Sequence, residues 1–537
     1  MVPYGDDGVL VELPGLAAVH ALHARLSTDP PEGVVDVVPA ARTVLVRGNP
    51  RTRARWAGVV TRAARAAVDD HAAAPATRTV AIPVVYDGAD LDDVAQLTGL
   101  TVDEVVARHL AGGPDGYRVA FGGFMPGFAY VAGLDPVLHV PRLSSPRTRV
   151  PAGSVAVAGD LTAVYPAPTP GGWRLLGRTD LPLFDVSRGV HDAAALRAGD
   201  EVRFVRAQRE LVTSGARGAC AGHPGDRCTD QEGGDGGWGP WVRVVASGAL
   251  ALVEDAGRVG AASVGVPWSG AADPAAMRCA NRLVGNASGA AGIEVVLGGL
   301  VVTFGATTAF ALVGADPGAD LDGMAVPVGA AVRAPTGATL RLGVPVRGLR
   351  TWLAVRGGID VPPVLGSRSR DVLSGLGPAP LRAGDVLAYG TAFDGLPQVP
   401  DPEPVSDSDP AGGSDPAAGL APDPVVDLPA TDGPRLDHLD EGSRVRLWSQ
   451  TWRVTVDSNR VAVRLDGAPL TRTTRGELAS EGLVAGAVQV PHDGRPVVFG
   501  PDHPVTGGYP VVAVLTAVGV ARAAQLRPGD RVRLARP

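Results

Sequence analysis

A five-residue pattern that recurs three times constrains the fold of this chain more than any other feature. In each copy a leucine and an arginine precede a glycine-aspartate pair, as in Leu196-Arg-Ala-Gly-Asp200, Leu381-Arg-Ala-Gly-Asp385 and Leu526-Arg-Pro-Gly-Asp530. A Gly-Asp pair followed by a short apolar run predicts a tight turn that leads into a β-strand. Units that close with the same strand predict about three related β-domains.

A second repeat and the composition agree with this prediction. Gly171-Gly172-Trp173 and Gly507-Gly508-Tyr509 each place an aromatic residue after two glycines, upstream of the closing turn. The 537 residues include 72 Gly and 48 Pro, which favour many short strands joined by turns. The first 75 residues differ, because two apolar strand-like runs alternate with segments of helical spacing. We therefore predict a mainly β chain with an α+β N-terminal domain and tandem β-barrels.

The predicted units follow composition shifts along the chain. They are a small α+β domain at 1–78, a barrel at 79–205, a Gly-rich linker at 206–240, a barrel at 241–395, an acidic Pro/Asp-rich insert at 396–441 and a barrel at 442–537. Residues 401–441 contain eleven acidic residues and one Arg, so removing their −10 from the net charge of −7 leaves +3 on the remainder. The acidity of the chain is therefore concentrated in the insert.

The absence of lysine limits the chemistry of the chain. All 49 basic residues are arginines, so an anion must be bound by guanidinium groups, backbone N–H groups or a metal. A P-loop lysine and a biotinylated lysine are both excluded. The start of the chain lacks the pattern of a signal peptide, and no apolar run reaches the roughly 20 residues of a membrane helix. We expect a cytoplasmic protein with a small-molecule substrate and no nucleic-acid or membrane partner.

Two histidine-containing motifs each allow two interpretations. Cys220, His223 and Cys228 resemble half of a zinc site, but no second ligand pair follows and the surroundings are typical of a linker. Thr101-Val-Asp-Glu104 predicts a helix with a capping box, which places His109 on its last turn. A histidine there is either an acid–base or substrate-contacting group or a residue that favours the helix end through the dipole.

Three clusters of glycine, proline, arginine and acidic residues are candidate sites. The first contains Phe124, Pro126, Gly127, Arg142, Arg147, Gly153, Ser154, Gly171, Gly172 and Trp173. The second contains Asp255, Arg258, Asp273, Asn281, Glu294, Ser367 and Arg368, and the third contains Asn459, Arg460, Gln489, Gly507, Gly508 and Tyr509. Dense Gly and Pro let backbone approach a ligand, and Arg suits carboxylate or phosphate, although loops with special dihedrals have the same composition. Glu294 within an apolar strand is either outward-facing or a paired functional group.

The first cluster resembles the B subunit of 5-oxoprolinase, a family also called sporulation-kinase inhibitor or first subunit of allophanate hydrolase. The resemblance includes Gly123-Phe-Met-Pro-Gly-Phe-Ala-Tyr130, Val150-Pro-Ala-Gly-Ser-Val155 and Pro170-Gly-Gly-Trp173. The other two clusters resemble the C subunit of the same enzyme, through Gly265-Val-Pro-Trp-Ser-Gly270, Gly366-Ser-Arg-Ser369 and Ser458-Asn-Arg460. The chain is thus identified as a fusion of a B-like half, residues 1–205, and a C-like half, residues 241–537.

The resemblance implies cyclophilin-like β-barrels and ATP-dependent opening of 5-oxo-L-proline to L-glutamate, together with a separate A subunit of 5-oxoprolinase. It implies that ATP and Mg²⁺ bind here, with Arg142, Arg147, Arg258 or Arg368 neutralising phosphate charge. Asp255, Asp273 or Glu294 would hold Mg²⁺, and the glycine-rich turns would supply N–H groups. His109, Asp255 and Glu294 are the candidate catalytic residues, and the remaining residues of the three clusters are candidate substrate or nucleotide contacts. A homo-oligomer is compatible with this resemblance.

Two other functions fit the same resemblance. The modules are similar to the carboxyltransferase part of biotin-dependent urea carboxylase, for which a separate biotin carrier would be required. Similar proteins also regulate a histidine kinase, which would make the chain a regulatory binder.

Overall fold

The computed structural model describes residues 1–69, 78–190, 192–208, 240–391, 393–397, 424–474, 476 and 478–537. The motif of Cys220, His223 and Cys228 lies outside these residues. The described chain forms a small α+β unit followed by three larger β-units, as the sequence predicts. In the described residues, no helix combines the length and apolarity needed to cross a membrane.

The N-terminal unit is an antiparallel sheet covered by two helices. The sheet has the order β1-β2-β4-β3. Its elements are β1 (Val2–Tyr4), β2 (Gly8–Glu12), α1 (Leu16–Thr28), β3 (Val34–Pro39), β4 (Thr43–Gly48) and α2 (Arg53–Asp69). Both helices lie where the apolar spacing predicts them, and they bury Leu22 and Trp56 against the sheet.

The second unit contains a seven-stranded sheet in the order β12-β9-β10-β7-β6-β13-β5 and a separate β8–β11 pair. Its elements are β5 (Thr79–Val84), α3 (Leu91–Thr98), α4 (Val102–Ala111), β6 (Tyr117–Gly122), β7 (Ala129–Ala132), β8 (Arg147–Val150), β9 (Ser154–Ala158), β10 (Leu161–Val164), β11 (Thr169–Gly171), β12 (Arg174–Arg178) and β13 (Glu201–Arg206). The capping box of α4 is confirmed, because Thr101 and Glu104 satisfy each other's backbone N–H groups.

The third unit packs two antiparallel sheets over one apolar core. The sheets have the orders β20-β19-β22-β17-β14-β24 and β15-β16-β23-β18-β21. Its elements are β14 (Trp241–Ser247), β15 (Leu250–Glu254), α5 (Pro274–Val284), β16 (Gly292–Val296), β17 (Leu300–Phe304), β18 (Thr308–Gly314), β19 (Asp320–Leu321), β20 (Met324–Ala325), β21 (Ala331–Ala334), β22 (Thr339–Arg341), β23 (Arg350–Val355) and β24 (Val386–Ala388).

The fourth unit is a closed seven-stranded barrel in the cyclic order β25-β32-β29-β30-β27-β26-β33, with a separate β28–β31 ladder. Its elements are β25 (Val425–Asp432), α6 (Glu441–Ser449), β26 (Trp452–Val454), β27 (Ala462–Asp466), β28 (Glu481–Gly482), β29 (Ala487–Gln489), β30 (Val497–Phe499), β31 (Thr506–Gly507), β32 (Val511–Leu515), α7 (Ala517–Ala524) and β33 (Arg531–Ala535).

The fourth unit begins earlier than the sequence predicts. The sequence assigns residues 396–441 to an insert, but β25 lies within that range and pairs in parallel with β33 to close the barrel. The prediction that this barrel starts at 442 is therefore wrong. High Asp and Pro content upstream obscures the apolar run of β25, which follows directly in the chain.

The repeated pattern forms the same turn three times. In each copy the backbone N–H of the arginine donates to the aspartate carboxylate, at 2.9 Å for Arg197–Asp200, 2.8 Å for Arg382–Asp385 and 2.7 Å for Arg527–Asp530. The intervening glycines Gly199, Gly384 and Gly529 have φ of 90°, 97° and 96°, a conformation that glycine adopts without strain. β13, β24 or β33 follows each turn, so the predicted Gly-Asp turn before a strand is confirmed.

Candidate functional site

Six aromatic residues of the B-like half form a continuous cluster, which we call the aromatic cluster: Phe121, Phe124, Phe128, Tyr130, Tyr165 and Trp173. Phe128 is at its centre, with ring centroids 5.0 Å from Tyr130, 5.4 Å from Tyr165 and 6.1 Å from Trp173. Phe128 meets these three rings edge to face, an arrangement that the π quadrupoles favour, whereas Phe121 and Tyr130 are stacked at 4.5 Å. Phe124 and Tyr130 are only half-buried, so part of the aromatic surface of the cluster remains exposed.

The glycines predicted as site residues allow other groups to approach closely around this cluster. A side chain at Gly171 would place its Cβ 2.5 Å from the Tyr165 hydroxyl, and one at Gly153 would lie 2.2 Å from the carbonyl of Thr179. The N–H of Gly153 donates to the Tyr165 carbonyl at 2.7 Å, and the N–H of Tyr165 donates to the Ser154 carbonyl at 3.0 Å. Gly153 and Ser154 thus position Tyr165 rather than a ligand.

Two arginines predicted as anion contacts lie beside the cluster. The guanidinium of Arg142 is 6.0 Å from the ring centroid of Trp173, and its side chain is exposed. Arg147 donates to Asp90 Oδ1 at 2.5 Å, while Asp90 Oδ2 accepts from the Leu175 N–H at 2.7 Å. The carbonyl of Gly172, next to Trp173 in the chain, accepts a hydrogen bond from the Leu143 N–H at 2.8 Å. Aromatic faces with flanking guanidinium groups suit a planar, anionic ligand.

The C-like half closes one side of the aromatic cluster through the ladder of β28 and β31. The N–H of Phe124 donates to Thr506 Oγ1 at 3.1 Å. The Tyr130 hydroxyl lies within hydrogen-bonding reach of Ser480 and Thr506, both from the C-like half. Burial raises the pKa of Tyr130 to about 12, so the phenol stays protonated and can donate a hydrogen bond. The junction between the halves therefore brings three hydroxyl groups to the edge of the cluster.

Four predicted residues of the C-like half lie in or next to this ladder. The Gln489 side chain donates from Nε2 to the carbonyl of Tyr509 at 2.9 Å, and a Cβ on Gly507 would lie 2.9 Å from that same nitrogen. The carbonyl of Gly508 accepts from the Leu478 N–H at 2.9 Å. These contacts shape the ladder that carries Thr506, so Gln489, Gly507, Gly508 and Tyr509 support the residue that contacts the aromatic cluster.

Two other predicted residues of the C-like half, Glu294 and Arg460, belong instead to a buried ionic network. Its remaining members are Glu254, Arg350 and Asp502. Arg460 is its centre: it donates to Glu294 Oε1 at 2.5 Å and to Asp502 Oδ2 at 2.8 Å, and lies 3.2 Å from Glu254 Oε1. Burial alone would lower the pKa of Arg460, but Asp502, Glu254 and Glu294 together raise it well above its usual value. Arg460 is therefore a fixed internal charge.

Glu254 is a fully buried carboxyl of this network. Burial raises its pKa well above the usual range, against the opposing effect of Arg460, and the charges of Asp502 and Glu294 raise it further. Apart from the ion pair with Arg460, neither carboxyl oxygen of Glu254 has a hydrogen-bond partner. The predicted catalytic residue Glu294 is 2 % exposed and accepts from Ala272 N–H, Arg350 and Arg460. The catalytic role predicted for Glu294 has no geometric support, because a backbone N–H and two buried arginines already occupy its carboxylate oxygens.

Two of the three carboxylates predicted to hold Mg²⁺, Asp255 and Asp273, do not fit that ion. Asp255 Oδ1 accepts from the hydroxyls of Ser367 and Ser369 at 2.6 Å each, and Oδ2 accepts from Arg368 N–H at 2.6 Å. Asp273 caps α5 through Oδ1 and accepts from Gln525 through Oδ2 at 3.1 Å. Among the described residues, no group of three or more His, Cys, Asp or Glu side chains could hold a metal ion. Asp255 and Asp273 are therefore structural residues, and the catalytic role predicted for Asp255 has no geometric support.

Several further predicted contacts are also structural. Arg258 is 1 % exposed and donates to the carbonyls of Val364 and Ser369, so the prediction that it neutralises phosphate is wrong. Asn281 is fully buried and donates to Ala290 carbonyl at 2.8 Å. Ser367 is fully buried against Asp255, and Arg368 pairs with Asp360 at 2.8 Å. Asn459 accepts from Val461 N–H at 2.8 Å, which forms a turn.

His109 is a core residue of the B-like half rather than a substrate contact. It has no exposed surface, its Nδ1 lies 2.8 Å from the Tyr86 hydroxyl, and its Nε2 lies 3.0 Å from Thr162 Oγ1. Burial lowers the pKa of His109 to about 3, so the ring is neutral. The predicted acid–base role is wrong because both ring nitrogens are already engaged inside the core. Pro126 and Gly127, by contrast, lie in the loop that meets the C-like half.

Comparison with known proteins identifies the family. Residues 1–194 match the model described as "Carboxyltransferase domain, subdomain C and D", and residues 264–536 match "Carboxyltransferase domain, subdomain A and B". The chain belongs to this carboxyltransferase-domain family, with subdomains C and D preceding A and B. The resemblance predicted from the sequence is therefore confirmed.

Individual relatives match the two halves separately. The chain is 37 % identical to the 5-oxoprolinase C subunit of Escherichia coli (strain K12) over 294 residues, covering 54 % of this chain and 89 % of the relative. It is 45 % identical to the 5-oxoprolinase B subunit of Escherichia coli O157:H7 over 177 residues, covering 32 % and 78 %. Urea amidolyase of Saccharomyces cerevisiae is 31 % identical over 308 residues, covering 54 % and 16 %. The chain is thus a fusion of the B-like and C-like halves of a 5-oxoprolinase relative.

One solved structure matches both halves together. The crystal structure of TTHA0988 superposes with a TM-score of 0.82 at 33 % identity, covering 98 % of this chain and 99 % of that one. The described arrangement of the two halves is therefore shared with a solved protein.

Three hydroxyl groups of the candidate site, those of Tyr130, Ser480 and Thr506, are not among the site residues predicted from the sequence. Tyr130 lies inside the quoted Gly123–Tyr130 motif, and Thr506 directly precedes the repeated Gly507-Gly508 pair, so both carry a detectable signal. Ser480 belongs to no motif. Its position becomes apparent only when the barrel brings it against the B-like half.

Proposed function

We propose that this chain is the fused B–C component of a 5-oxoprolinase and that it acts on 5-oxo-L-proline with ATP and a separate A subunit of that enzyme. One observation carries the proposal: the aromatic cluster of the B-like half is completed by Thr506 and Ser480 of the C-like half. A site made by both halves gives a reason for their fusion, because one chain keeps the two parts in fixed proportion. Relatives named as the B and C subunits of 5-oxoprolinase match the corresponding halves.

The residues at the junction suit a small lactam that bears a carboxylate. The aromatic faces would cover the ring, the Tyr130 phenol would donate to the lactam carbonyl, and Arg142 would attract the carboxylate. A lactam amide is a poor electrophile, and ATP supplies the phosphoryl group that makes its carbonyl oxygen a better leaving group before water attacks. Exclusion of bulk water by the aromatic cluster would protect that activated oxygen until hydrolysis is completed with the A subunit.

In this proposal Mg²⁺ binds only together with ATP, without a carboxylate of its own from Asp255 or Asp273. The structure offers no free carboxylate at Asp255 or Asp273 for the ion, since N–H and O–H donors occupy both side chains. The exposed Arg142 beside Trp173 would attract an anionic ligand.

Reconstitution tests the proposal. The full chain, the A subunit of a 5-oxoprolinase, ATP, Mg²⁺ and 5-oxo-L-proline should together yield L-glutamate, and omission of any one component should abolish it. Trp173→Phe should lower kcat/KM about tenfold, whereas Trp448→Phe, at a tryptophan that stacks on Arg536 in the fourth unit, should leave it unchanged. The proposal would be contradicted if the chain bound neither ATP nor 5-oxo-L-proline and the complete mixture formed no L-glutamate.

A carboxyltransferase function remains the alternative because the family models carry that name and urea amidolyase is a relative. This chain has no lysine and cannot carry biotin itself, so the reaction would need a separate biotinylated carrier. Urea-dependent decarboxylation of carboxybiotin on an added carrier protein, without any effect of 5-oxoproline, would favour this alternative.

A further inference from the structure

The loop of residues 122–128 in the B-like half is held from two sides by backbone and hydroxyl groups of the C-like half. On one side the N–H of Phe124 donates to Thr506 Oγ1 at 3.1 Å. On the other, the N–H of Gly127 donates to the carbonyl of Val264 at 3.0 Å. The loop therefore makes hydrogen bonds to the third and the fourth units at once.

The loop approaches the C-like half so closely that side chains are excluded at two positions. A Cβ on Gly123 would lie 2.1 Å from Thr506 Oγ1, and one on Gly122 would lie 2.5 Å from the carbonyl of Ser263. Non-bonded Cβ atoms do not come this close to other heavy atoms, so this contact requires glycine at both positions. The loop contacts the C-like half mainly through its backbone. Thr506 is the side chain that accepts a hydrogen bond from this backbone.

Phe124 has an unusual backbone in this loop. Its φ is 62°, in the left-handed region that glycine tolerates and bulky residues avoid. Such a conformation persists where the surroundings hold it, and it concentrates at functional sites. The Phe124 ring meets Phe128 edge to face at 5.7 Å, so the backbone at Phe124 sets the edge of the aromatic cluster.

We propose that Thr506 of the C-like half is a positioning residue, which holds Phe124 of the B-like half in its left-handed conformation and so orients the aromatic cluster for substrate. The hydroxyl acts on Phe124 through its N–H and reaches the Tyr130 phenol at the same time. The effect on catalysis rests on the proposed function, whereas the effect on the loop does not.

Amide hydrogen exchange of the full chain tests the effect on the loop. Thr506→Val keeps the shape of the side chain and removes the acceptor, so exchange in peptides covering 121–128 should accelerate about three- to tenfold. Thr506→Ser keeps the hydroxyl and should stay within about twofold of the parent chain. Thr303→Val is the matched control, because it removes a hydroxyl bonded to Thr339 in the third unit, and it should leave these peptides unchanged. Equal exchange in the parent chain and Thr506→Val overturns the proposal.

A second comparison, made in a chain that carries Phe124→Gly, distinguishes the positioning role of Thr506 from a general loss of stability. Phe124→Gly removes the cost of the left-handed backbone, so the restraint from Thr506 should matter less there. Thr506→Val should then accelerate loop exchange less than about twofold in the Phe124→Gly chain. An undiminished effect would mean that Thr506 merely stabilises the fold, and it would contradict the positioning role.

Kinetics then connects the loop with the site. In the reconstituted system with ATP and 5-oxo-L-proline, Thr506→Val should raise KM for 5-oxo-L-proline about three- to tenfold with a smaller change in kcat, and Thr506→Ser should restore KM. An unchanged KM in an active Thr506→Val chain would overturn the effect on substrate. If the parent chain neither binds nor turns over 5-oxo-L-proline, the proposed function fails, while the exchange measurements still decide the role of Thr506 in the loop.

Discussion

Arg460 of the fourth unit donates to Glu294 of the third unit at 2.5 Å, and both side chains are almost completely buried. The same guanidinium donates to Asp502 and to the carbonyl of Gly270. An internal charge of this kind is stabilising only while its partners are present, because each charge has lost its water. The network therefore fixes how the two units of the C-like half sit together.

Arg460→Met should destabilise the chain by about 3–5 kcal/mol, because it leaves Asp502 as a buried carboxylate without its cation and removes one of the two arginines that pair with Glu294. Urea denaturation followed by circular dichroism would measure the loss. Arg495→Met is the control: its exposed pair with Asp466 should contribute less than about 1 kcal/mol. Equal losses in the two variants would show that the buried network does not stabilise the interface.

His109 should affect stability at low pH rather than the pH dependence of catalysis. Its folded pKa of about 3 lies below the ordinary value of 6.5, so its contribution to stability is present above about pH 6.5 and is lost as the pH falls towards 3. His109→Gln should flatten this decline, by up to about 1.4 kcal/mol for each pH unit within that window. Unfolding at pH 4, 5 and 7 measures it. A shifted pH profile of kcat, with the slope of stability unchanged, would restore the acid–base role.

Trp268 links the N-terminal unit to the C-like half. Its Nε1 donates to Asp36 at 2.7 Å, and the guanidinium of Arg47 lies 3.5 Å from the centroid of its ring. Trp268→Phe should cost about 1–3 kcal/mol, since the buried Asp36 carboxylate loses a donor. That loss raises the pKa of Asp36 further above its usual value, where burial already holds it, so destabilisation should be greater at pH 8 than at pH 4.

Two measurements separate this effect from the loss of indole surface. Unfolding of Trp268→Phe at the two pH values gives the pH-dependent part, and Trp448→Phe provides a tryptophan that is remote from Asp36. A loss at Trp268 that is the same at pH 4 and pH 8 would assign the effect to packing alone.

The local chemistry of the fold is largely predictable from the sequence. The three Gly-Asp turns, the capping box of Thr101 and Glu104 and the helix cap at Asp273 depend on residues within four positions of one another, so the pattern determines the contact. Strand β25 is not predicted in this way, because it is held by its parallel partner β33, which is about one hundred residues away in the chain.

The candidate site is only partly predictable. Gly, Pro and aromatic spacing indicates the aromatic cluster, because four of its members lie within ten residues of one another, between Phe121 and Tyr130. The same kind of signal fails at Asp255, Arg258 and Arg460, since a motif rich in charged residues serves a buried network as well as a ligand site. Burial decides between the two, and burial depends on packing between units that single-sequence spacing does not encode.

The hydroxyl of Tyr130 gives the most direct test of a site shared between the halves. Tyr130→Phe keeps the ring within the aromatic cluster and removes the group that reaches Ser480 and Thr506. Because a neutral hydrogen bond contributes about 0.5–1.5 kcal/mol, kcat/KM for 5-oxo-L-proline should fall about three- to tenfold while the unfolding transition stays close to that of the parent. Tyr389→Phe, which removes a hydroxyl bonded to the Ala306 carbonyl in the third unit, should leave kcat/KM unchanged. A fall of the same size in both variants would assign the loss to stability, and an unchanged kcat/KM in Tyr130→Phe would exclude the phenol from the site. Steady-state kinetics of the reconstituted system and thermal unfolding of each chain provide the two readouts.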